Sequence, residues 1–169
     1  FTEATIRRLM ESEVRYDPAV WRRLGTELGV LGMSVPEADG GVGGSLVDQA
    51  VAVEAFGAAL GCGPFFGTVY LAIPALVACG SSDARDGLLA ALVDGERTAA
   101  FAVPDTAGAF NPSVTVTASG SGDRVLLAGT AKRVVDAGAA DVVLVAARSD
   151  DGVGLYAVDA ADLQRTPLV

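Results

Sequence analysis

The spacing of apolar residues changes once along the chain, and this change is the strongest constraint on its fold. Up to about Gly95 the apolar residues recur at helical spacing, as Trp21, Leu24 and Leu28 do. From Thr98 onward they form short alternating or continuous apolar runs, which are typical of β-strands. Helices followed by strands, without alternation of the two, is the order of an α+β fold.

We therefore predict an N-terminal all-helical domain over residues 1–96 and an antiparallel β-barrel-type domain over residues 97–169. The β segments reach Val169 without a segment that would close them into a barrel. An open sheet leaves unpaired backbone groups along its edges. We expect the β domain to be incomplete in this chain, with its open edge covered by further chain or by a partner.

The helical part has clear start signals and its own predicted core. Asp17 precedes Pro18, and Ser45 stands three residues before Asp48, so each pair is typical of a helix N-terminus. Residues 46–60 are apolar on nearly all sides, which indicates a helix that its neighbours bury. The predicted core residues are Trp21, Leu24, Leu28, Leu46, Val53, Phe56, Leu60, Leu71, Leu76 and Leu89.

Charge and hydropathy exclude two classes of partner. The formal net charge is −9, the only lysine is Lys132, and the arginines are scattered. Nucleic-acid backbones and anionic membrane surfaces require clustered basic residues, so we predict binding to neither. The uncharged stretch at 55–82 is interrupted by Pro64 and Pro74, which predicts two buried helices rather than a membrane span.

The residue types offer no self-evident catalytic or metal-binding constellation. Histidine is absent, which excludes Ser-His-Asp and Cys-His catalysis and imidazole metal sites. Cys62 and Cys79 are interpreted as buried free thiols, which favours a cytoplasmic location. The loops at Gly41–Ser45 and Gly120–Gly122 lack the spacing of a dinucleotide-binding loop and are interpreted as turns. We assign no catalytic and no metal-binding residue.

Four segments occur in an order that is informative beyond composition. Residues 21–44 contain a helix, the run LGVLG, then VPE and a glycine loop. Residues 48–64 form an apolar segment with one glutamate, and residues 80–102 combine Gly-Ser, a Leu-rich helix, Gly-Glu and an apolar strand. Residues 129–148 begin with Gly-Thr and continue to Ala-Asp before another apolar strand. In this order they resemble the acyl-CoA dehydrogenases, and the resemblance covers essentially the whole chain.

The resemblance implies an N-terminal helical domain, a middle β domain and a C-terminal helical domain, with FAD as the cofactor. Such enzymes remove two hydrogens across Cα–Cβ of an acyl-CoA thioester and pass the electrons to an electron-transferring flavoprotein. Their glutamate base usually lies in the C-terminal domain, which places it here beyond Val169 or on a partner. The implied partners are the acyl-CoA substrate, a homologous subunit in a dimer or heterotetramer, and the electron-transferring flavoprotein.

Both flavin-binding motifs of the family are altered in this sequence. Where the family has Thr-Glu-Pro-x-Ala-Gly-Ser, Val103 and Ala109 replace the two hydroxyl residues and Gly108 is retained. Where the family has Trp-Ile-Thr/Ser-Asn, Arg133 replaces the tryptophan and Val135 replaces the hydroxyl residue. The resemblance implies that these five positions face the cofactor. We expect FAD to be held by a complex and to be weakly bound or absent on this chain alone.

Three aromatic residues follow Pro64 in the segment that, in the resembled family, reaches the closed end of the acyl pocket. They are Phe65, Phe66 and Tyr70. We predict that these rings border the acyl group. The alternative is that they are ordinary core residues, since aromatic residues in a buried helix pack in the same way.

Together these features predict a subunit of a heteromeric acyl-CoA dehydrogenase in which flavin and base come mainly from a partner. Two alternatives remain open: a homomeric enzyme that binds FAD through its backbone, and a non-catalytic acyl-thioester-binding or scaffolding protein of the same fold. Arginine is abundant and lysine is found once, which is typical of a GC-rich bacterial source. Steroid or branched acyl thioesters are candidate substrates on that basis.

Overall fold

The computed structural model describes residues 2–102, 114–121 and 124–167, and the first of these ranges is mainly helical. A π-helix lies between the third and fourth α-helices, and single 3-10 turns occur at Glu37–Asp39 and Ala160–Asp162. None of the described helices is long and apolar enough to cross a bilayer. The helices are α1 (Glu3–Glu11), α2 (Pro18–Thr26), α3 (Leu46–Ala58), the π-helix (Phe66–Ala72), α4 (Ile73–Val77) and α5 (Asp83–Val93).

Local capping explains where two of these helices begin. The Asp17 carboxylate accepts hydrogen bonds from the first amides of α2, and Pro18 occupies its first position. Ser45 and Asp48 form a reciprocal capping box at the start of α3. Both starts agree with the sequence prediction, because capping depends only on residues that are close in the chain.

The strands form one mixed sheet. Strand β4 is central: it pairs antiparallel with β5 along its length, parallel with β1, and through one parallel bridge with β2. Strands β2 and β3 form an antiparallel hairpin. The strands are β1 (Ala99–Ala102), β2 (Thr117–Ser121), β3 (Arg124–Ala128), β4 (Val142–Ser149) and β5 (Gly152–Asp159).

This sheet confirms the predicted order of helices followed by β structure and refines its pairing. The sheet is mixed rather than purely antiparallel, because the long connection from β1 to β4 allows the two strands to run in the same direction. Among the described strands, the hydrogen-bonded order is β1-β4-β2-β3, and β5 pairs in addition with β4. The described sheet is therefore not closed. An open sheet is what the sequence predicts for an incomplete barrel.

The main core lies between the helices and the sheet. Leu89 and Leu92 of α5 and Ile73 of α4 pack in one cluster with Val142 and Leu144 of β4. A second cluster covers the other face of the sheet, and a third gathers around Trp21 in the helical part. Because the first cluster includes residues on both sides of residue 96, the helices and the sheet are fixed relative to each other.

The predicted helical core needs correction at three leucines, one of which lies in α3. Trp21, Leu76 and Leu89 are buried as predicted, and Leu24, Val53, Phe56 and Leu71 are half-buried. By contrast, Leu28, Leu46 and Leu60 are exposed, and Leu46 keeps 72% of its surface accessible. Helix α3 rests on the protein through the face that carries the buried Gln49, and no described residue covers its opposite face. Its apolar character all round therefore does not reflect burial within the described chain.

Candidate site at the junction of helices and sheet

The π-helix is attached to β1 by one threonine. The Thr68 hydroxyl donates a hydrogen bond of 2.9 Å to the carbonyl of Ala99 and accepts one of 3.0 Å from its amide. Thr68 and Ala99 are both fully buried. Thr68 thus satisfies two backbone groups of β1 on the side where no described strand pairs with Ala99. These two hydrogen bonds fix the π-helix, which carries Phe66 and Tyr70, against the sheet.

The same helix is also held by a turn from the β part. The amide of Gly67 donates a 2.7 Å hydrogen bond to Oδ2 of Asp136. A β-carbon at position 67 would stand 2.9 Å from Cβ of Asp136 and 3.1 Å from the carbonyl oxygen of Val135. Only glycine permits this close approach without displacing the turn. The end of the second predicted flavin motif therefore lies directly on the π-helix.

The turn itself has an unusual backbone. Arg133 and Asp136 have φ angles of 56° and 59°, which lie in the left-handed region. Residues other than Gly, Asn and Asp rarely adopt this backbone conformation. Val134, between them, packs into the core cluster on one face of the sheet. Backbone strain of this kind persists only where the surrounding structure enforces it, and it concentrates at functional sites. The Val134 contact and the Asp136 bond are two such constraints.

The three predicted acyl-pocket residues fall into different environments. Phe65 is only 6% exposed and packs edge-on against Trp21, with ring centroids 5.9 Å apart. Its ring centroid also lies 5.2 Å from that of Phe56. Phe66 is 55% exposed, and its ring centroid lies 6.1 Å from that of the half-buried Tyr70. Phe65 is therefore a core residue in this chain. The Tyr70 ring, whose centroid lies 6.1 Å from those of both phenylalanines, connects this core to the exposed Phe66.

The predicted cofactor positions are only partly described. Val103, Gly108 and Ala109 lie outside the described residues. Arg133 and Val135 lie on the exposed side of the turn that contacts Gly67, so this motif and the Phe66–Tyr70 pair are brought to one junction.

The described part of this motif differs from the family pattern in two side chains. Val135 is 43% exposed, and its side chain has no hydrogen-bonding atom. An exposed arginine with a left-handed backbone stands where the family has a stacking tryptophan. This turn therefore carries neither the tryptophan ring nor the hydroxyl that the resemblance implies at positions 133 and 135.

An open cleft lies elsewhere, at the start of β4 and the end of β5. It encloses about 610 Å³ and is lined by Arg97, Asp141, Asp159 and Arg165, among others. Several of its charged groups have structural partners: Arg97 pairs with Asp159, and Asp141 accepts hydrogen bonds of 2.8 and 2.9 Å from the amide and hydroxyl of Thr98. None of the described residues among the predicted site positions lines this cleft, and Arg97 and Asp141 help to hold the sheet.

The pKa is shifted from its ordinary value at Tyr16, Asp48, Arg85 and Asp86. Burial raises the pKa of Tyr16, with a smaller rise from the charge of Asp141, while a hydrogen bond with Thr98 lowers it. No group of three or more acidic or cysteine side chains in the described ranges has a metal-binding arrangement.

The sequence analysis missed Gly67, Thr68 and Asp136. Asp136 occupies the last position of the Trp-Ile-Thr/Ser-Asn motif, so that motif held a signal for it. Gly67 and Thr68 carried no comparable signal, because their partners lie 69 and 31 residues away.

Comparison with known proteins identifies the fold. Residues 2–96 match the family model described as "Acyl-CoA dehydrogenase, N-terminal domain". The chain belongs to the acyl-CoA dehydrogenase family. The match covers more than half of the chain and coincides with its helical part.

Individual acyl-CoA dehydrogenases extend the similarity into the β part. The chain is 33% identical over 156 residues to acyl-CoA dehydrogenase FadE27 of Mycobacterium tuberculosis, covering 92% of this chain and 40% of FadE27. It is similar to a chain of the ChsE4-ChsE5 complex from Mycobacterium tuberculosis, with 32% identity, a TM-score of 0.77 and coverage of 95% and 43%. It is also similar to the Tcur3481-Tcur3483 steroid ACAD G363A variant, with 33% identity, a TM-score of 0.75 and coverage of 94% and 43%. This chain spans less than half the length of each.

Proposed function

We propose that this chain is a subunit of a heteromeric acyl-CoA dehydrogenase that carries out FAD-dependent α,β-dehydrogenation of an acyl-CoA thioester. In this assembly a homologous partner supplies most of the flavin site and the catalytic base. Electrons pass to an electron-transferring flavoprotein, and the assembly is cytoplasmic. When bound, FAD supplies the hydride acceptor, and the residues of this chain bind and orient the acyl group.

One observation carries the proposal: the turn at Arg133–Val135 lies against the aromatic end of the π-helix but lacks the two side-chain contacts of the family. A hydrogen bond lost from a buried polar group costs about 1–3 kcal/mol, and every 1.4 kcal/mol is tenfold in affinity. A chain with this turn is better suited to border a substrate than to hold a flavin. A partner with an intact motif would complete the site.

The related structures support a two-chain assembly. The ChsE4-ChsE5 complex and the Tcur3481-Tcur3483 steroid ACAD each combine two named chains. Both are about one third identical to this chain over more than nine-tenths of its length. On this likeness we propose that the acyl group is a steroid or a similarly bulky branched thioester.

The exposed face of α3 also supports an assembly. Leu46, Val47 and Val51 are all exposed there, and Val51 keeps 61% of its surface accessible. Clustered exposed apolar residues of this kind mark interaction surfaces. We propose that the partner, or a further segment homologous to the remainder of FadE27, covers this face.

Phe66 and Tyr70 are the residues that we assign to the substrate. Their rings are close enough to form one apolar wall, and Phe66 has surface available for contact. Such a wall would exclude water from the acyl group and limit the shape that the pocket accepts. It contributes binding and orientation, whereas the proton and hydride steps depend on groups outside the described residues.

The alternative is a non-catalytic protein of the same fold that binds an acyl thioester or holds a partner. The exposed α3 face is compatible with this function as well. Purification of the tagged chain from its native cells, followed by mass spectrometry and flavin analysis, separates the two. Co-purification of a flavin-containing acyl-CoA dehydrogenase subunit with acyl-CoA-dependent reduction supports the enzyme. A stable complex without flavin or reduction would contradict it and favour the scaffold.

A further inference from the structure

We infer that Asp136 is a positioning residue for the acyl side of the site: its carboxylate fixes the first turn of the π-helix, and with it Phe66, against the turn at Arg133–Asp136. This inference rests on the proposed function, because it assigns Phe66 to the acyl group. Asp136 itself does not contact the substrate in this account. It acts through the backbone amide of Gly67.

The bond has the geometry of a strong interaction. The Gly67 amide and Oδ2 of Asp136 are 2.7 Å apart, which is short for a bond between an amide and a carboxylate. Amides in the first turn of a helix have no partner within the helix, so each requires an acceptor from elsewhere. The next amide, that of Thr68, already bonds to the carbonyl of Pro64 at 3.0 Å. Asp136 thus supplies the acceptor that the helix itself does not provide for Gly67.

The acceptor comes from a distant part of the chain, and this distinguishes the bond from an ordinary cap. Gly67 and Asp136 are 69 residues apart, one in the helical part and one in the β part. Each is preceded by a residue with an exposed apolar side chain, Phe66 and Val135. The bond therefore sets the spacing between the aromatic pair and the turn that carries the altered motif.

The residue type at 136 also suits the backbone. Its φ of 59° lies in the left-handed region, where Asp and Asn are tolerated better than most side chains. Alanine at this position would lose both the acceptor and this tolerance. Asparagine would keep both, and glycine would keep only the backbone freedom. These three substitutions therefore separate the hydrogen bond from the backbone conformation.

The first measurement is amide hydrogen exchange at Gly67 by NMR in the full chain. We expect Asp136→Ala and Asp136→Gly to increase exchange at Gly67 by about tenfold or more, because a bond to a charged acceptor is lost. Asp136→Asn should stay close to the wild type. Asp150→Ala, at an exposed aspartate in the β4–β5 turn, is the matched control and should leave Gly67 unchanged.

The second measurement uses the complex purified with its native partner. Calorimetric titration with butyryl-CoA and with a steroid acyl-CoA thioester, the proposed substrate class, gives the ratio of the two dissociation constants. We expect this ratio to change about threefold or more in Asp136→Ala and Asp136→Gly and to be restored in Asp136→Asn, since displaced positioning groups weaken oriented binding. A purely structural bond would alter stability without changing this ratio.

The possible results separate the inference from the proposed function. Unchanged exchange at Gly67 in Asp136→Gly overturns the role of Asp136, whatever the complex binds. Faster exchange with an unchanged binding ratio also overturns it, because the bond would then be structural only. A wild-type complex that binds neither acyl-CoA overturns the proposed function and this role together.

Discussion

Thr68 and Ala99 exchange two buried hydrogen bonds, of 2.9 and 3.0 Å, across the boundary between helices and sheet. One hydroxyl therefore satisfies both backbone groups of a residue in β1. Together with the Gly67–Asp136 bond, this contact holds the π-helix in one place relative to the sheet.

Thr68→Val tests the Thr68–Ala99 contact. Valine has nearly the same shape as threonine but leaves the amide and carbonyl of Ala99 buried without partners. Each such group costs about 1–3 kcal/mol, so the free energy of unfolding should fall by about 2–6 kcal/mol in urea titration. Thr68→Ser, which keeps the hydroxyl, is the control and should lose less. Equal losses in the two variants would show that the methyl group matters more than the bonds.

Phe65 and Phe66 are adjacent but should respond in opposite ways to truncation. Phe65→Ala removes a buried ring from the cluster around Trp21 and should lower the free energy of unfolding by about 3–5 kcal/mol. Phe66→Ala removes an exposed ring and should change stability by less than about 1 kcal/mol.

In the purified complex, Phe66→Ala should instead alter the preference for acyl chain length or ring size. An unchanged substrate profile would assign Phe66 to packing alone.

The apolar face of α3 predicts a localised effect on assembly. Val51→Asp places a charge on this exposed face and should abolish co-purification of the partner, because an unpaired charge at an apolar interface is strongly unfavourable. The thermal unfolding of the isolated chain should be unchanged. Leu28→Asp, at another exposed apolar position, should leave the complex intact. Normal assembly of Val51→Asp would contradict the role of this face.

Features that depend on neighbours in the sequence were predictable, and those that depend on distant contacts were not. The caps at Asp17 and Ser45 follow from local chemistry, and the change from helix to strand follows from apolar spacing. The parallel pairing of β1 with β4 depends on residues more than forty positions apart, such as Ala99 and Val142. Local spacing carries no information on such a pairing.

The exposure of α3 and the candidate site illustrate the same limit. Apolar residues on all sides of α3 predict burial, but the periodicity does not reveal whether this chain or another one covers the helix. Phe65 and Phe66 look equivalent in the sequence, yet one faces Trp21 and the other is exposed. The contact of Gly67 with Asp136 brings together two segments that the sequence analysis had treated separately.

Asp86 predicts a pH dependence of stability at the start of α5. A hydrogen bond from the Ser81 hydroxyl, and then one from the Arg85 guanidinium, hold the pKa of the Asp86 carboxyl below its ordinary value of 3.8. A carboxyl with a lowered pKa in the folded state stabilises the protein above its unfolded value, and this contribution is lost as the pH falls through the folded value.

The measurement for Asp86 is urea unfolding at a series of pH values below about 4. Asp86→Asn should flatten the loss of stability on acidification relative to the wild type. Ser81→Ala removes the larger cause and should move the titration of Asp86 back towards 3.8. An acid dependence of Asp86→Asn as steep as that of the wild type would show that other carboxyls dominate in this range.

Flavin content tests the central claim most directly. The chain is purified alone and with its native partner, titrated with FAD, and the bound flavin is measured by visible absorbance against protein concentration. We predict a chain that is colourless alone and a complex that carries FAD, with Arg133→Ala in this chain leaving the flavin content of the complex unchanged. Stoichiometric FAD on the chain alone, lost in Arg133→Ala, would contradict the account and identify an ordinary flavoenzyme.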